Sequence, residues 1–168
     1  RQRQMCIRDR YWPLLQYPRL EELKKCWVGG NKIALITFYR ALVMSGNLKP
    51  IDALIKRLLE QGINPLPVYV SSLKDQHSDE FIKELTLKLD ISTVLNTTAF
   101  AVSSTESPAK AGPFRNTDCP VFQLILSSSE KDTWLASPTG LSPRDIAMNV
   151  ALPELSLIHI SEPTRRLN

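Results

Sequence analysis

The stretch that decides the fold runs from Lys32 to Val70: KIALITFYRALVMSGNLKPIDALIKRLLEQGINPLPVYV. Its first seven residues, KIALITF at Lys32–Phe38, form a compact apolar run that is typical of a buried strand. Pro50 suits the first turn of a helix, and Gly62 is placed to close it. Between them, apolar side chains recur on one helical face, at Ile51, Leu54, Ile55, Leu58 and Leu59. LPVYV at Leu66–Val70 is a second strand, so the stretch predicts a strand–helix–strand unit.

The same alternation continues on both sides of this stretch. Ser78 is expected to cap a second helix, with Asp79 and Glu80 in its first turn. The further predicted elements are a helix over Arg19–Trp27, strands over Thr93–Asn96 and Val121–Leu126, a short helix over Glu130–Ala136 and a helix that starts at Ser142–Asp145. This spacing predicts an α/β fold with a doubly wound, mainly parallel sheet of Rossmann-like or flavodoxin-like βαβ units. The stretch Thr97–Pro120 is expected to be a long loop.

Both ends of the chain are unlike the rest. The first ten residues include MCIRDR, which can be encoded ATG TGT ATA AGA GAC AG; the reverse complement translates as LSLIH, the residues at 155–159. The string also resembles the transposon end of sequencing-library adapters, with SEPTR as its continuation. We therefore expect residues 1–10 and 155–168 to be translated adapter that packs poorly, and residues 11–154 to be a fragment of an α/β domain. A native basic arm and a native tail are the alternative.

The formal net charge of +4 belongs to these ends. Residues 1–10 carry four Arg and one Asp, and residues 155–168 carry two Arg and one Glu, so residues 11–154 are neutral. Aromatic and basic side chains do not interleave there, which gives nucleic-acid binding no support. The sequence also has no run of about 18 apolar residues, which excludes a transmembrane helix.

The candidate site lies at the carboxyl ends of the predicted strands. Ligands of open α/β sheets bind outside the carboxyl ends of the strands. The residues at those ends are Tyr39-Arg40, Ser71-Ser72 with Lys74-Asp75, Asn96-Thr97-Thr98 and Ser127–Glu130. They are almost all hydroxyl, amide or charged residues, which predicts a polar crevice. Ordinary polar loops after buried strands are the alternative.

The residues alone contain no recognisable catalytic motif. His77 is the single histidine of residues 11–154, and its place beside a helix cap favours a solvated side chain over a metal ligand. Cys26 and Cys119 are expected to be structural, and two thiols without CxxC spacing indicate a reduced, cytoplasmic protein. The Gly29-Gly30 pair precedes a strand instead of following one, so it is not a phosphate loop.

Several runs resemble the large-subunit family of aerobic cobaltochelatase and, more distantly, the large subunit of magnesium chelatase. The matching runs are FYRAL at Phe38–Leu42, Gly46-Asn47, PIDAL at Pro50–Leu54, PLPVYVSSLKD at Pro65–Asp75, VLNTTAFAVS at Val94–Ser103, PVFQLILSS at Pro120–Ser128 and GLSPRDIAMNVALPE at Gly140–Glu154. SSLKD and the last run look like the cobalt branch. The resemblance covers essentially all of residues 11–154. After Glu154 the family continues with an Asp-Gly pair, whereas this chain continues with LSLIHIS.

The resemblance implies a multisubunit, ATP-dependent metal chelatase whose large subunit holds the tetrapyrrole and the metal ion. In the cobalt branch, cobalt is inserted into hydrogenobyrinic acid a,c-diamide during cobalamin biosynthesis. The partners it implies are AAA-type ATPase subunits, which bind the ATP, and the tetrapyrrole substrate; neither nucleic acid nor a membrane is implied. The fragment alone is expected to be inactive.

The resemblance also supplies candidate residues. Metal insertion needs a base for two pyrrole protons and a transient ligand for the metal, and Glu154 of the ALPE run is the candidate catalytic residue. Arg40, Lys74 and Arg144 are candidates for pairing with the carboxylates of the macrocycle, and Asn96 for a hydrogen bond to an amide. The sequence does not identify the residues that bind the metal ion before its insertion. The alternatives are a magnesium chelatase large subunit, which inserts magnesium into protoporphyrin, and a non-catalytic ligand-binding α/β module.

Overall fold

The computed structural model describes residues 9–15, 18–73, 75–98, 114, 117–127, 129–138 and 140–151. The chain divides into two compact units, residues 1–98 with 112–124 and residues 99–111 with 125–168. The first unit contains α1 (Leu20–Lys25), β1 (Ile33–Tyr39), α2 (Arg40–Ser45), α3 (Lys49–Glu60), β2 (Asn64–Val70), α4 (Gln76–Lys88), β3 (Ile91–Asn96) and β4 (Val121–Gln123). The second contains α5 (Lys131–Ala136) and α6 (Pro143–Ile146), and α6 continues into a π-helical turn at Ala147–Ala151.

The first unit is built on a four-stranded sheet with the order β2-β1-β3-β4, and every pairing is parallel. This confirms the predicted doubly wound fold. The chain passes from β1 outward to β2 through α3, and then back across β1 to β3 through α4. Since such crossovers are right-handed, the reversal places α3 and α4 on opposite faces of the sheet. Five consecutive residues of β1, Ala34–Phe38, are buried and form the centre of the core.

Both long helices begin and end for reasons that the local sequence supplies. α3 has Pro50 in its first turn and buries Ile51 and Ile55. It ends before Gly62, whose φ of +71° lies in the left-handed region that glycine accepts without strain. In α4 the cap is Asp75 and not Ser78, so that expectation was wrong. The carboxylate of Asp75 accepts hydrogen bonds from the backbone N–H and the hydroxyl of Ser78, both at 3.1 Å.

The outer edge of β2 is covered by segments that precede β1. The backbone groups of Pro65, Pro67 and Tyr69 face this edge. The indole N–H of Trp27 donates to Pro65 O at 2.9 Å, and Tyr11 N donates to Pro67 O at 3.0 Å. Tyr69 N donates to Asp9 O at 2.9 Å. These bonds satisfy the edge of a strand that would otherwise expose its polar backbone.

For Asp9 and Arg10, this edge corrects the expectation that residues 1–10 pack poorly. Asp9 and Arg10 pack against β2, because Arg10 forms an antiparallel bridge with Val68 and its guanidinium carbon lies 5.1 Å from the centre of the Phe81 ring. Residues 1–8 and 155–168 lie outside the described part of the chain. Their origin from a translated adapter stays a prediction.

Two smaller expectations also differ from the structure. β4 ends at Gln123 instead of Leu126, although Leu124 N still donates to Asn96 O at 2.8 Å. Cys26 does not lie on the apolar face of α1; it is the residue at the carboxyl end of that helix and is exposed. Of the predicted long loop, Thr97 and Thr98 are buried beside the sheet, and most of its remaining residues lie outside the described part of the chain.

Candidate functional site at the carboxyl ends of β1 and β3

The point where the strand order reverses lies between β1 and β3. One crossover leaves β1 toward β2, and the next returns on the other side to β3, so the loops after these two strands diverge. In open α/β sheets this is where a ligand crevice is expected, and we call this edge the candidate crevice. Arg40 follows β1 directly, and Thr97 and Thr98 follow β3. Of the four predicted strand ends, the structure places Arg40 after β1 and Thr97 and Thr98 after β3, whereas Ser127 and Glu130 belong to the second unit.

A buried hydrogen-bond network forms the floor of this crevice. Asn96 Oδ1 accepts from Thr37 Oγ1 at 2.8 Å and from Thr98 Oγ1 at 2.9 Å, and Asn96 Nδ2 donates to Gln123 Oε1 at 2.8 Å. Gln123 Nε2 in turn donates to Thr98 O at 2.7 Å. Thr97 adds two bonds to Thr37 O, from its backbone N–H and its hydroxyl. The network therefore joins the ends of β1, β3 and β4.

Arg40 is a charged group at this edge, and it is half-buried. Its Nη2 donates to Asp9 Oδ1 at 3.0 Å, and its guanidinium carbon lies 5.6 Å from the centre of the Tyr69 ring. Arg40 Nε is buried and has no hydrogen-bond partner in the part of the chain that the structure describes. Burial raises the pKa of the Asp9 carboxyl above its ordinary value, and the opposite effects of Arg40 and Arg10 are smaller.

Three further site residues were predicted: Lys74, Arg144 and Glu154. Lys74 and Glu154 lie outside the described residues. Arg144 lies on α6 in the second unit and is exposed. His77 is exposed in the first turn of α4, as predicted.

Among the described residues of the second unit, Asp145 is a buried polar group, 4% exposed. It accepts from Ser127 Oγ at 3.3 Å, and its backbone N–H donates to the cap, Ser142 Oγ, at 3.1 Å. Asn149 Nδ2 donates to Asp145 O at 2.9 Å, at the start of the π-helical turn. These bonds anchor the segment Ser142–Asp145, where the sequence predicted the start of a helix.

A cavity of about 360 Å³ that the sequence did not indicate lies at the opposite, amino end of β3. Its polar lining includes Lys83, Asp90, Thr117, Asp118 and Cys119. No local sequence pattern could have indicated it, because its walls come from α4 and from the segment that precedes β4. Among the described residues, no three His, Cys, Asp or Glu side chains are grouped so as to hold a metal ion. No helix in the described ranges has the length and apolar character needed to cross a membrane.

The fold is that of a doubly wound α/β domain, with buried polar side chains and a half-buried Arg40 at the point where the strand order reverses. A sequence model of the family described as CobN/Magnesium Chelatase matches residues 8–162. The chain belongs to this family.

The relatives are much longer proteins. The chain is 46% identical over 120 residues to the aerobic cobaltochelatase subunit CobN of a Sinorhizobium species, which covers 71% of this chain and 9% of the relative. It is 38% identical over 144 residues to the subunit of the same name from Pseudomonas aeruginosa, covering 86% of this chain and 11% of the relative. A solved structure, the catalytic subunit of cobaltochelatase from Mycobacterium tuberculosis, matches with a TM-score of 0.55 and 27% identity over 75% of this chain and 11% of that one. The chain thus spans about a tenth of the length of these relatives.

Proposed function

We propose that this chain is part of the large, tetrapyrrole- and metal-binding subunit of an aerobic cobaltochelatase, which inserts cobalt into hydrogenobyrinic acid a,c-diamide. The observation that carries the proposal is the 46% identity to an aerobic cobaltochelatase subunit over 120 residues. The structural similarity to the solved catalytic subunit also supports the proposal. Cobalt is the substrate of this reaction, and ATP is bound by separate AAA-type subunits of a cytoplasmic complex.

Within that function, the crevice contributes binding and not the chemical step. Arg40 stands at its rim with an unused N–H group, which supports pairing with a peripheral carboxylate of the macrocycle. Asn96 is 1% exposed and its amide is engaged by Thr37, Thr98 and Gln123, so we assign it the positioning of the strand ends. Lys74, Arg144 and Glu154 keep their proposed roles as two further carboxylate partners and the catalytic carboxylate.

Magnesium chelatase is the second candidate, because the matching family includes both enzymes. Cobalt is favoured since both relatives above 30% identity are named as cobaltochelatase subunits. The third candidate is a non-catalytic ligand-binding module.

A chimeric subunit tests the proposal. The matched segment of the Pseudomonas aeruginosa relative is replaced by residues 11–154 of this chain, and cobalt insertion is followed by the absorbance of the corrinoid with ATP and the partner subunits present. We expect cobalt insertion by the chimera and none by the isolated 168-residue chain. A folded chimera that inserts magnesium into protoporphyrin instead would support the second candidate, and one that binds tetrapyrrole without inserting either metal would support the third.

A further inference from the structure

We propose that Arg40, backed by Tyr69, is a carboxylate-binding site, and that Asp9 occupies it in this chain in place of a ligand carboxylate. The inference deepens the proposed function and rests on it for one point, that the carboxylate belongs to a tetrapyrrole. The site itself is argued from the contacts of Arg40.

The guanidinium of Arg40 has more binding capacity than Asp9 uses. Nε and Nη2 lie on the same edge of the planar group, the edge that a carboxylate holds with both of its oxygens. Asp9 Oδ1 accepts from Nη2 at 3.0 Å, whereas Nε is buried without a hydrogen-bond partner among the described residues. A buried N–H donor without an acceptor is unfavourable, so a carboxylate that engages both nitrogens would bind better than Asp9 does.

Tyr69 holds the guanidinium in position. Tyr69 is 5% exposed, and its ring centre lies 5.6 Å from the guanidinium carbon of Arg40. The ring of Tyr69 also packs edge to face with that of Phe38, with ring centres 6.1 Å apart. Because Phe38 belongs to the central strand, Arg40 is attached to the rigid part of the sheet. A preorganised donor of this kind loses little conformational entropy when it binds an anion.

Burial raises the pKa of the Asp9 carboxyl, and the opposite effects of Arg40 and Arg10 are smaller. Asp9 meets Arg40 through one carboxylate oxygen, Oδ1, which lies 3.0 Å from Nη2. Its backbone oxygen bonds separately to Tyr69 N, so the side chain can rotate away while the segment stays paired to β2. Asp9 also belongs to residues 1–10, which are predicted to be adapter-encoded, and a ligand would then supply the native carboxylate.

The test uses the whole 168-residue chain and uroporphyrin, a porphyrin with eight carboxylates, as the probe. Binding is followed by quenching of tryptophan fluorescence. We expect Asp9→Asn to tighten binding about fivefold, and Arg40→Gln and Arg40→Lys to weaken it by a similar factor. In the Arg40→Gln background, Asp9→Asn should have no effect beyond twofold. An equal effect of Asp9→Asn with and without Arg40 would overturn the proposal.

Arg57 and Glu60 provide a matched control, because their ion pair has the same length of 3.0 Å but is much more exposed. Glu60→Gln and Arg57→Gln should each change the affinity for uroporphyrin less than twofold. A larger effect would mean that the probe responds to general charge, which would contradict a specific site.

A second probe separates this inference from the proposed function. Succinate, a simple dicarboxylate, is added to ¹⁵N-labelled Asp9→Asn protein, and the Nε–H resonance of Arg40 is followed by NMR. A downfield shift of that resonance supports the carboxylate site even if uroporphyrin fails to bind. In that case the site binds a carboxylate that does not belong to a tetrapyrrole. If neither probe shifts the Arg40 resonance, Arg40 is not a carboxylate-binding site. The proposed function is then tested separately by the chimeric subunit.

Discussion

Asn96 Oδ1 lies 2.8 Å from Thr37 Oγ1, in a hydrogen bond that joins two neighbouring parallel strands just where both of them end. The same oxygen accepts from the hydroxyl and the backbone N–H of Thr98, at 2.9 and 3.2 Å. One side chain therefore fixes the ends of β1 and β3 and the start of the segment that leaves β3. The floor of the crevice is held by side chains as well as by the backbone ladder.

Asn96→Ala should lower the free energy of unfolding by about 2–4 kcal/mol, because it leaves the buried Thr37 hydroxyl and the Thr98 N–H without an acceptor. Urea denaturation followed by circular dichroism measures this. The control is Asn47→Ala at an exposed position, where we expect a change below about 0.5 kcal/mol. A loss below about 1 kcal/mol at Asn96 would show that water replaces the network.

Asp75→Ala should destabilise the protein by about 1 kcal/mol, because it removes the cap of α4. Ser78→Ala should cost less, since the alanine keeps the backbone N–H that the Asp75 carboxylate accepts. Thermal unfolding of the two variants under one condition compares them. A larger loss of stability for Ser78→Ala than for Asp75→Ala would indicate that Ser78 is the cap.

Gly62→Ala should cost about 1 kcal/mol through backbone strain alone. Its φ is +71°, whereas the added Cβ would meet only Asn31 Nδ2 at 3.5 Å, an ordinary contact. Gly29→Ala is the control, because no atom lies within 4 Å of the added Cβ and φ is outside the left-handed region; we expect it to be neutral or slightly stabilising. Equal melting temperatures for the two variants would contradict the role of Gly62.

Tyr11→Phe should change how stability depends on alkaline pH. Burial, and to a lesser degree the 2.6 Å hydrogen bond that Tyr11 donates to Asp52 Oδ1, raises the pKa of Tyr11 above its ordinary value. The unfolded chain therefore loses this proton first, at about pH 10, so stability is constant below that pH and falls above it. Denaturation at pH 8 and pH 11 should show a smaller fall for Tyr11→Phe than for the unchanged protein. An identical fall would mean that Tyr11 ionises in the fold as it does in water.

The parallel sheet could be predicted from the sequence because its signals are local. The run KIALITF, the apolar face that includes Ile51 and Ile55, and Gly62 each fix their element by period or backbone conformation. The position of β2 at an edge could also have been predicted. Pro65 and Pro67 lie within that strand, and proline lacks the N–H that a central strand needs.

The details of the site could not be predicted, because they depend on pairs that are distant in the sequence. Arg40 and Asn96 were expected at the carboxyl ends of strands, and they are there. Asn96 points inward because it bonds to Thr37, which lies 59 residues earlier in the sequence. The partner of Arg40 is Asp9, which lies 31 residues earlier. The cap of α4 was also missed, because Asp75 and Ser78 are both residues that cap helices and the sequence pattern fits either as the first residue.

The prolines of β2 have a consequence for self-association. A free strand edge invites the backbone of another molecule to pair with it, and this is how many sheets begin to aggregate. Of the three residues that face outward, Pro65 and Pro67 have no N–H to offer, and the single donor, that of Tyr69, is already bonded. This edge of the sheet is therefore protected against pairing with another molecule. Removing residues 1–10 would free the N–H of Tyr69, whereas Pro65 and Pro67 would still offer no donor.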